Sequence, residues 1–161
     1  MMNDTCHRSR CFKQWIVSSA AAAIFMGLFD MVVHGHLLMG MYRATAALWR
    51  SDAEMQALFP LPFAPSLLLG MLAATAYGFY RRKLVSCPLP ADKPARCMVK
   101  KSLCFGLWFG LVIGIVQASS VIYLPIPEMV AITWLGVNII KGLLLGLVLK
   151  FTYCGKAMPA V

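Results

Sequence analysis

A chain of 161 residues that is 60% apolar and 13% charged, with a mean hydropathy of +0.74, is not an ordinary soluble domain. Such domains carry about a quarter charged residues, and disordered chains are more polar still. The formal charge of +9 would suit nucleic acid if it lay along one soluble face, but the basic residues cluster at the ends of hydrophobic segments, so the composition describes a membrane protein with the lipid bilayer as its partner and no nucleic acid.

A membrane span needs about 20 predominantly apolar residues. Four stretches qualify, 15–41, 63–80, 102–124 and 129–149, and they leave no room for a soluble domain with its own core. The expectation is a single transmembrane domain over residues 1–161, an all-α integral membrane four-helix bundle.

In chain order, residues 1–14 read as a short polar tail carrying Arg8, Arg10 and Lys13. The first apolar run is too long for the core of a cleaved signal peptide, and no small-x-small cleavage site follows Phe29 before the segment becomes His- and Met-bearing. Within it Ser19, Ala23 and Gly27 recur at spacing four, a stripe of small residues that lets helix backbones approach closely where lipid supplies no hydrophobic drive. After the span, Ser51-Asp52-Ala53-Glu54 has the Ser-x-x-Glu form of a capping box, which starts a short helix running to about Phe59. Met55, Leu58 and Phe59 share one side of it, so the segment is expected to lie along the outer interface, beside Trp49, until Pro60 stops it.

The second span begins near Pro62 or Pro65, where a missing amide hydrogen costs little, and carries Gly70, Ala74 and Gly78. Residues 81–101 contain Pro88, Pro90 and Pro94 without apolar periodicity and read as a flexible connector. The third span carries Gly106, Gly110 and Gly114, the fourth Gly142 and Gly146, and the link Pro125-Ile126-Pro127-Glu128 is short enough to make these two an antiparallel hairpin. Pro60-Leu61-Pro62 and Pro125-Ile126-Pro127 occupy equivalent places in the two halves, the pattern of a parallel repeat. The stripes predict a tightly packed bundle or a packed homo-oligomer.

Orientation follows from where basic residues lie. Arg81, Arg82, Lys83, Lys93, Arg96, Lys100 and Lys101 in the connector, with Lys150 and Lys156 at the end of the chain, share one side with the N-terminal cluster; the opposite side has Arg43 and Arg50. The positive-inside rule therefore puts both termini and the connector in the cytoplasm and the chain in the cell inner membrane as a multi-pass protein. Cys6, Cys11, Cys87, Cys97 and Cys154 fall on the reducing side and Cys104 just inside the membrane, which argues against disulfides. Their spacings match no zinc pattern.

Ionisable groups deep in a span cost roughly 2.5–3.5 kcal/mol at the membrane centre and point to function. Asp30, His34 and His36 lie in the first span and Lys141 in the fourth. Counting about 1.5 Å per residue from the outer ends, Asp30 and Lys141 both lie on the order of 16–18 Å deep, so they are candidates for an intramembrane ion pair. His34 shares the face of Asp30, and Asn138 and Gln117, with Ser119 and Ser120, complete an outer-half polar cluster. One reading is that these groups bond one another and fix helix register; another is a proton or solute path through Asp30 and His34. The run His34-Gly35-His36-Leu37-Leu38-Met39-Gly40-Met41 offers imidazole and thioether ligands suited to copper. On a regular helix, however, His34 and His36 point about 200° apart, and bis-histidine haem would need a second copy of the chain.

No phosphate-binding loop, catalytic triad or HExxH motif occurs, so the sequence leans away from an enzyme and implies no cofactor. At Phe29-Asp30, His34-Gly35, Leu37-Leu38, Tyr42, Leu48-Trp49, Glu54-Met55, Leu124-Pro125-Ile126-Pro127 and the glycine-rich segment from Lys141-Gly142 to Leu149, the chain resembles small uncharacterised four-span bacterial inner-membrane proteins. That resemblance implies fold and location and brings no activity; Lys141 stands where such proteins are expected to carry an acidic residue. The leading expectation is a non-enzymatic packed membrane component or accessory subunit, with a homo-oligomer or a membrane-protein partner open. The alternatives are a small transporter or proton-coupled carrier using the Asp/His/Lys cluster, and copper or haem handling through His34, His36, Met39 and Met41.

Overall fold

The structure, a computed structural model, describes residues 2–59, 61, 63–85 and 94–153. It is all-helical among those residues: α1 (Met2–Val32), a π-helical segment (Val33–Leu37), α2 (Met39–Ala44), a 3-10 turn (Ala46–Leu48), α3 (Asp52–Ala57), α4 (Phe63–Val85), α5 (Pro94–Ala118), a 3-10 turn (Ser119–Ile122) and α6 (Glu128–Thr152). Four helices are long and apolar enough to cross a membrane, over Phe12–Leu37, Phe63–Arg82, Cys97–Ile122 and Glu128–Thr152. The protein is therefore a multi-pass membrane protein.

Three sequence expectations are corrected. Residues 2–14 are not a tail detached from the first span, because α1 begins at Met2; a polar helical extension has no apolar face to announce it. The connector is also shorter than 81–101: α4 continues to Val85, and Pro94 opens α5 at the first helical position, where its fixed φ suits a helix and its missing donor is no loss. Pro60, Pro62, Pro88 and Pro90 lie outside the described residues, whereas Pro65 sits in the first turn of α4. The first span also does not run as one regular helix to Met41. It changes to π geometry at Val33 and turns at Leu38, whose amide donates back to the Val33 carbonyl at 2.8 Å.

The chain folds as two hairpins, α1 with α4 and α5 with α6, joined mainly through α1 against α6. A parallel two-fold repeat would make the α1/α6 and α4/α5 contacts equivalent, yet α4 and α5 barely touch. The glycine stripes explain the hairpins. A Cβ on Gly142 would stand 2.6 Å from Gly110 Cα and would run into the Gly106 carbonyl; one on Gly146 would meet the Ser102 carbonyl, and one on Gly70 would stand 2.7 Å from Ala23 N. At these positions backbone lies on backbone, the close approach that only small residues allow. Gly114 faces Leu135 and Asn138, while Gly27 and Gly78 receive the Phe63 ring and the Tyr153 hydroxyl. The stripes are thus used within one chain.

Two apolar cores result. One, toward the end of the bundle that carries the chain termini, gathers Ala22, Met26, Ala73, Ala74, Tyr77, Leu145 and Leu149. Tyr77 and Ser102 share a 2.7 Å hydrogen bond there, and Tyr80 donates to the Lys101 carbonyl, which closes α4 onto α5. The other core, at the end that carries α3, gathers Val33, Leu38, Ile126, Val130 and Trp134. Large apolar residues such as Ile24, Leu68, Trp108, Val116 and Ile132 cover the outside, as a lipid-facing surface requires. The capping box on α3 is present: Ser51 N–H donates to Glu54 Oε2 at 2.9 Å, and Glu54 N–H donates to Ser51 Oγ at 3.4 Å. Donation from the Ser51 hydroxyl to Glu54 Oε2 at 2.8 Å, with that from the Ser51 N–H to the same oxygen, holds the Glu54 carboxyl below its ordinary range.

Candidate functional site

Between the two cores lies a polar layer. Lys141, buried in α6, donates through Nζ to Asp30 Oδ1 of α1 at 2.9 Å. Asp30 lies seven residues before the end of the first span at Leu37 and Lys141 thirteen after the start of the fourth at Glu128, so it is the ion pair itself, and not an equal count along two regular helices, that places them at one level. The Lys141 side chain is 8% exposed and that of Asp30 is 32% exposed, so the pair is covered on the lysine side and open on the carboxylate side.

His34 lies one turn from Asp30, with Nε2 at 3.9 Å from Oδ1, too long for a direct hydrogen bond. Its other nitrogen, Nδ1, bonds the Tyr42 hydroxyl. Tyr42 in turn accepts from Trp134 Nε1 at 2.8 Å, stacks on the imidazole and meets the Trp49 ring edge-on. Trp49 is anchored by donation from Nε1 to Thr45 Oγ1. Tyr42 is the functional residue that sequence reasoning missed as part of the cluster. The signal was present in an aromatic residue eight positions after His34, but a regular helix would set the two about 12 Å apart along its axis; the π segment and the turn at Leu38 remove that separation.

Asn138 and Gln117 form a second polar group. Asn138 Nδ2 donates both to Gln117 Oε1 at 2.7 Å and to the Trp134 carbonyl at 2.8 Å, while Asn138 Oδ1 is buried without a hydrogen-bond partner. Ser119 and Ser120 do not join the cluster; their hydroxyls donate to the Val116 and Gln117 carbonyls of their own helix.

The Asp30 side of the layer opens into a cleft of about 490 Å³. Asp30, Met31, His34 and Gly27 come from α1 and the π segment, Phe63 and Ser66 from α4, Gln117 from α5, Lys141 from α6, and Phe59 from just beyond α3. The opening follows from the weak α4/α5 seam: the tyrosines close it at the terminal end, and among the described residues nothing equivalent closes it near α3. Chemically the cleft offers a carboxylate, an ammonium, an imidazole and an amide within apolar walls, groups of a kind that can take up and release protons.

The four suggested metal ligands are not brought together. His36 is exposed, His34 is engaged with Tyr42, and Met41 packs against the core around Trp134. Among the described residues no three His, Cys, Asp or Glu side chains stand close enough to hold a metal ion. Cys97 and Cys104 are free thiols; the other cysteines have no described side chains. Comparison with known proteins adds no assignment: no family model, curated protein or solved structure matches this chain.

Proposed function

We propose that this is a non-enzymatic, multi-pass protein of the bacterial inner membrane that admits a small polar solute from the outer side into the cleft around Asp30, His34 and Lys141, as a proton-coupled carrier. Both termini and the connector lie on the cytoplasmic side in this reading, and α3 lies at the outer interface. The observation that carries the reading is the open carboxylate. An ion pair that only fixes helix register gains nothing from an opening, and Asn138, one turn away, is closed over to 1% exposure. Asp30 instead faces a cleft with a second titratable group, His34, beside it.

The test is proton movement in pyranine-loaded proteoliposomes containing the full chain, with amino acids, monocarboxylates and amines added outside in turn. One solute class is expected to drive proton entry in the wild type and to fail in Asp30→Asn and His34→Ala. Equal fluxes in wild type and both variants would sink the carrier reading. Orientation is tested by a membrane-impermeant maleimide, which is expected to reach Cys97 in inside-out vesicles and not in intact spheroplasts.

A second reading, a packed accessory subunit without transport, is favoured by the closed terminal end, where Tyr77, Ser102, Leu145 and Leu149 leave no passage. It requires a partner, because the glycine stripes that suggested an interface between copies are spent inside the chain. Extraction in mild detergent as a monomer with no stoichiometric companion would remove it.

A further inference from the structure

Two hydrogen-bond chains decide which polar end each cleft residue presents, and both start at Trp134. Its indole N–H can only donate, so Tyr42 Oη accepts it with one lone pair; the hydroxyl keeps its own hydrogen, and of the two roles open to it toward His34 Nδ1 we assign it the donating one. That leaves the proton of neutral His34 on Nε2. The Trp134 carbonyl can only accept, which fixes the Asn138 end facing it as Nδ2. The same nitrogen donates to Gln117, so Gln117 turns its oxygen to Asn138 and keeps Nε2 as its free end. Lys141 has further ammonium hydrogens beyond the one given to Asp30. The cleft therefore offers donors from three residues: Lys141 and His34 beside the Asp30 carboxylate, and Gln117 elsewhere in its lining.

Charge narrows the ligand further. With His34 neutral, Asp30 and Lys141 cancel, so a bound anion brings uncompensated charge to membrane depth unless one proton enters with it. A dianion would need two. Met31, Phe59 and Phe63 form apolar walls suited to a hydrocarbon or aromatic body. We propose that the cleft binds a small monocarboxylate with an apolar body together with one proton. The ligand carboxylate replaces Asp30 as the partner of Lys141 and accepts from His34 Nε2 and Gln117 Nε2, while Asp30 takes the proton. One ion pair exists before and after, and the net charge of the site is unchanged. The titratable groups facing Asp30 are Lys141 from α6, His34 from its own helix and Tyr42 behind His34; α4 and α5 bring Ser66, Phe63 and Gln117. This inference rests on the solute-binding reading above and names its ligand class.

The test is calorimetric titration of the full chain in phosphatidylcholine nanodiscs with sodium benzoate, between about pH 5.5 and 7.5, in buffers of different ionisation enthalpy. Saturable binding is expected, with one proton taken up per benzoate and a Kd about tenfold weaker for each unit rise in pH. Asp30→Asn carries a neutral amide in place of the protonated acid, and its benzoate binding is expected to lose both proton uptake and pH dependence. Gln117→Leu removes a donor without touching the ion pair and is expected to weaken binding about tenfold. Benzoate binding without proton uptake, or an Asp30→Asn variant that keeps the pH dependence, overturns the proposal. So does loss of benzoate binding on adding phosphatidylglycerol to the discs, which would assign the donors to a lipid phosphate. Saturable binding of benzylamine or benzamide in place of benzoate overturns the ligand class and leaves the solute cleft standing. If none of the three binds, both fall.

Discussion

Replacing Gly142 by alanine tests whether the α5/α6 hairpin rests on backbone contact. The added Cβ would stand 2.6 Å from Gly110 Cα and 2.7 Å from Gly110 N, and the Gly106 carbonyl lies closer still. Carbon atoms pack at about 3.5 Å, so the helices must part by roughly 1 Å, and a gap of that size forfeits about a quarter to a half of the dispersion attraction across the seam. None of the opposing atoms belongs to a flexible side chain that could move aside. Overpacking of this kind costs about 1–3 kcal/mol. Against it stands the intrinsic gain of roughly 1 kcal/mol when glycine becomes alanine inside a helix. Gly136 measures that gain alone, because a Cβ there meets nothing within 4 Å on the same helix. The two variants are therefore expected to differ by about 1–3 kcal/mol, with Gly142→Ala the less stable and Gly136→Ala more stable than wild type. The assay is unfolding of the purified protein in mixed micelles with increasing dodecyl sulfate, followed by far-ultraviolet circular dichroism. A Gly142→Ala variant as stable as Gly136→Ala would refute the packing argument.

Other substitutions probe the polar layer and the cap. Lys141→Met leaves Asp30 without its cation and, with a third of that carboxylate exposed, is expected to cost about 1–2 kcal/mol, a discounted share of the loss seen when a fully buried pair is broken; adding Asp30→Asn should restore part of it in a double-mutant cycle. Tyr42→Phe removes the acceptor of Trp134 Nε1 and the partner of His34 Nδ1, and about 1–3 kcal/mol of stability should go with them, reported by a shift in tryptophan emission. For α3, Ser51→Ala should speed amide exchange at Glu54. Because the folded Glu54 carboxyl titrates below its ordinary value of 4.5, the contribution of the cap is complete above that value and is lost as pH falls through the lower folded range; α3 amide exchange that stays constant down to the acid limit would contradict this.

The parts of the fold carried by hydropathy and small-residue spacing were legible in advance. Span positions, the α5/α6 hairpin and the Ser51-to-Glu54 cap depend on local composition; Asp30 and Lys141 do pair, although the count that levelled them assumed a regular helix to Met41 that the first span does not form. What escaped the sequence depends on phase and partnership. The polar start of α1 carries no lipid-facing stripe, so nothing in residues 2–14 marks it as helix. Tyr42 was hidden because a regular period was carried across Val33–Leu37, where the helix is wound differently. The role of Trp134 was hidden for another reason: an apolar-looking residue orients Tyr42 with its side chain and Asn138 with its backbone, and neither link has a sequence signature. Spacing also could not say whether the stripes serve contacts within the chain or between chains; that answer needed the backbone distances at Gly70, Gly106 and Gly142.

The π segment has a mechanical consequence. A π turn holds about one more residue than an α turn, and each residue of an α-helix advances the azimuth by about 100°. If Val33–Leu37 relaxed to α geometry, everything beyond it would swing around the axis by that amount relative to Asp30. Tyr42 would leave His34 and Trp134 together, and the donor polarity of the cleft would lose its anchor. Gly35 and Gly40 leave open space where a side chain would begin, whereas Val33 and Leu38 are buried in the core around Trp134 and hold the segment in its wound form. The first helix is thus wound like a rotary catch, with the cleft chemistry on one side of the extra residue and the aromatic latch on the other.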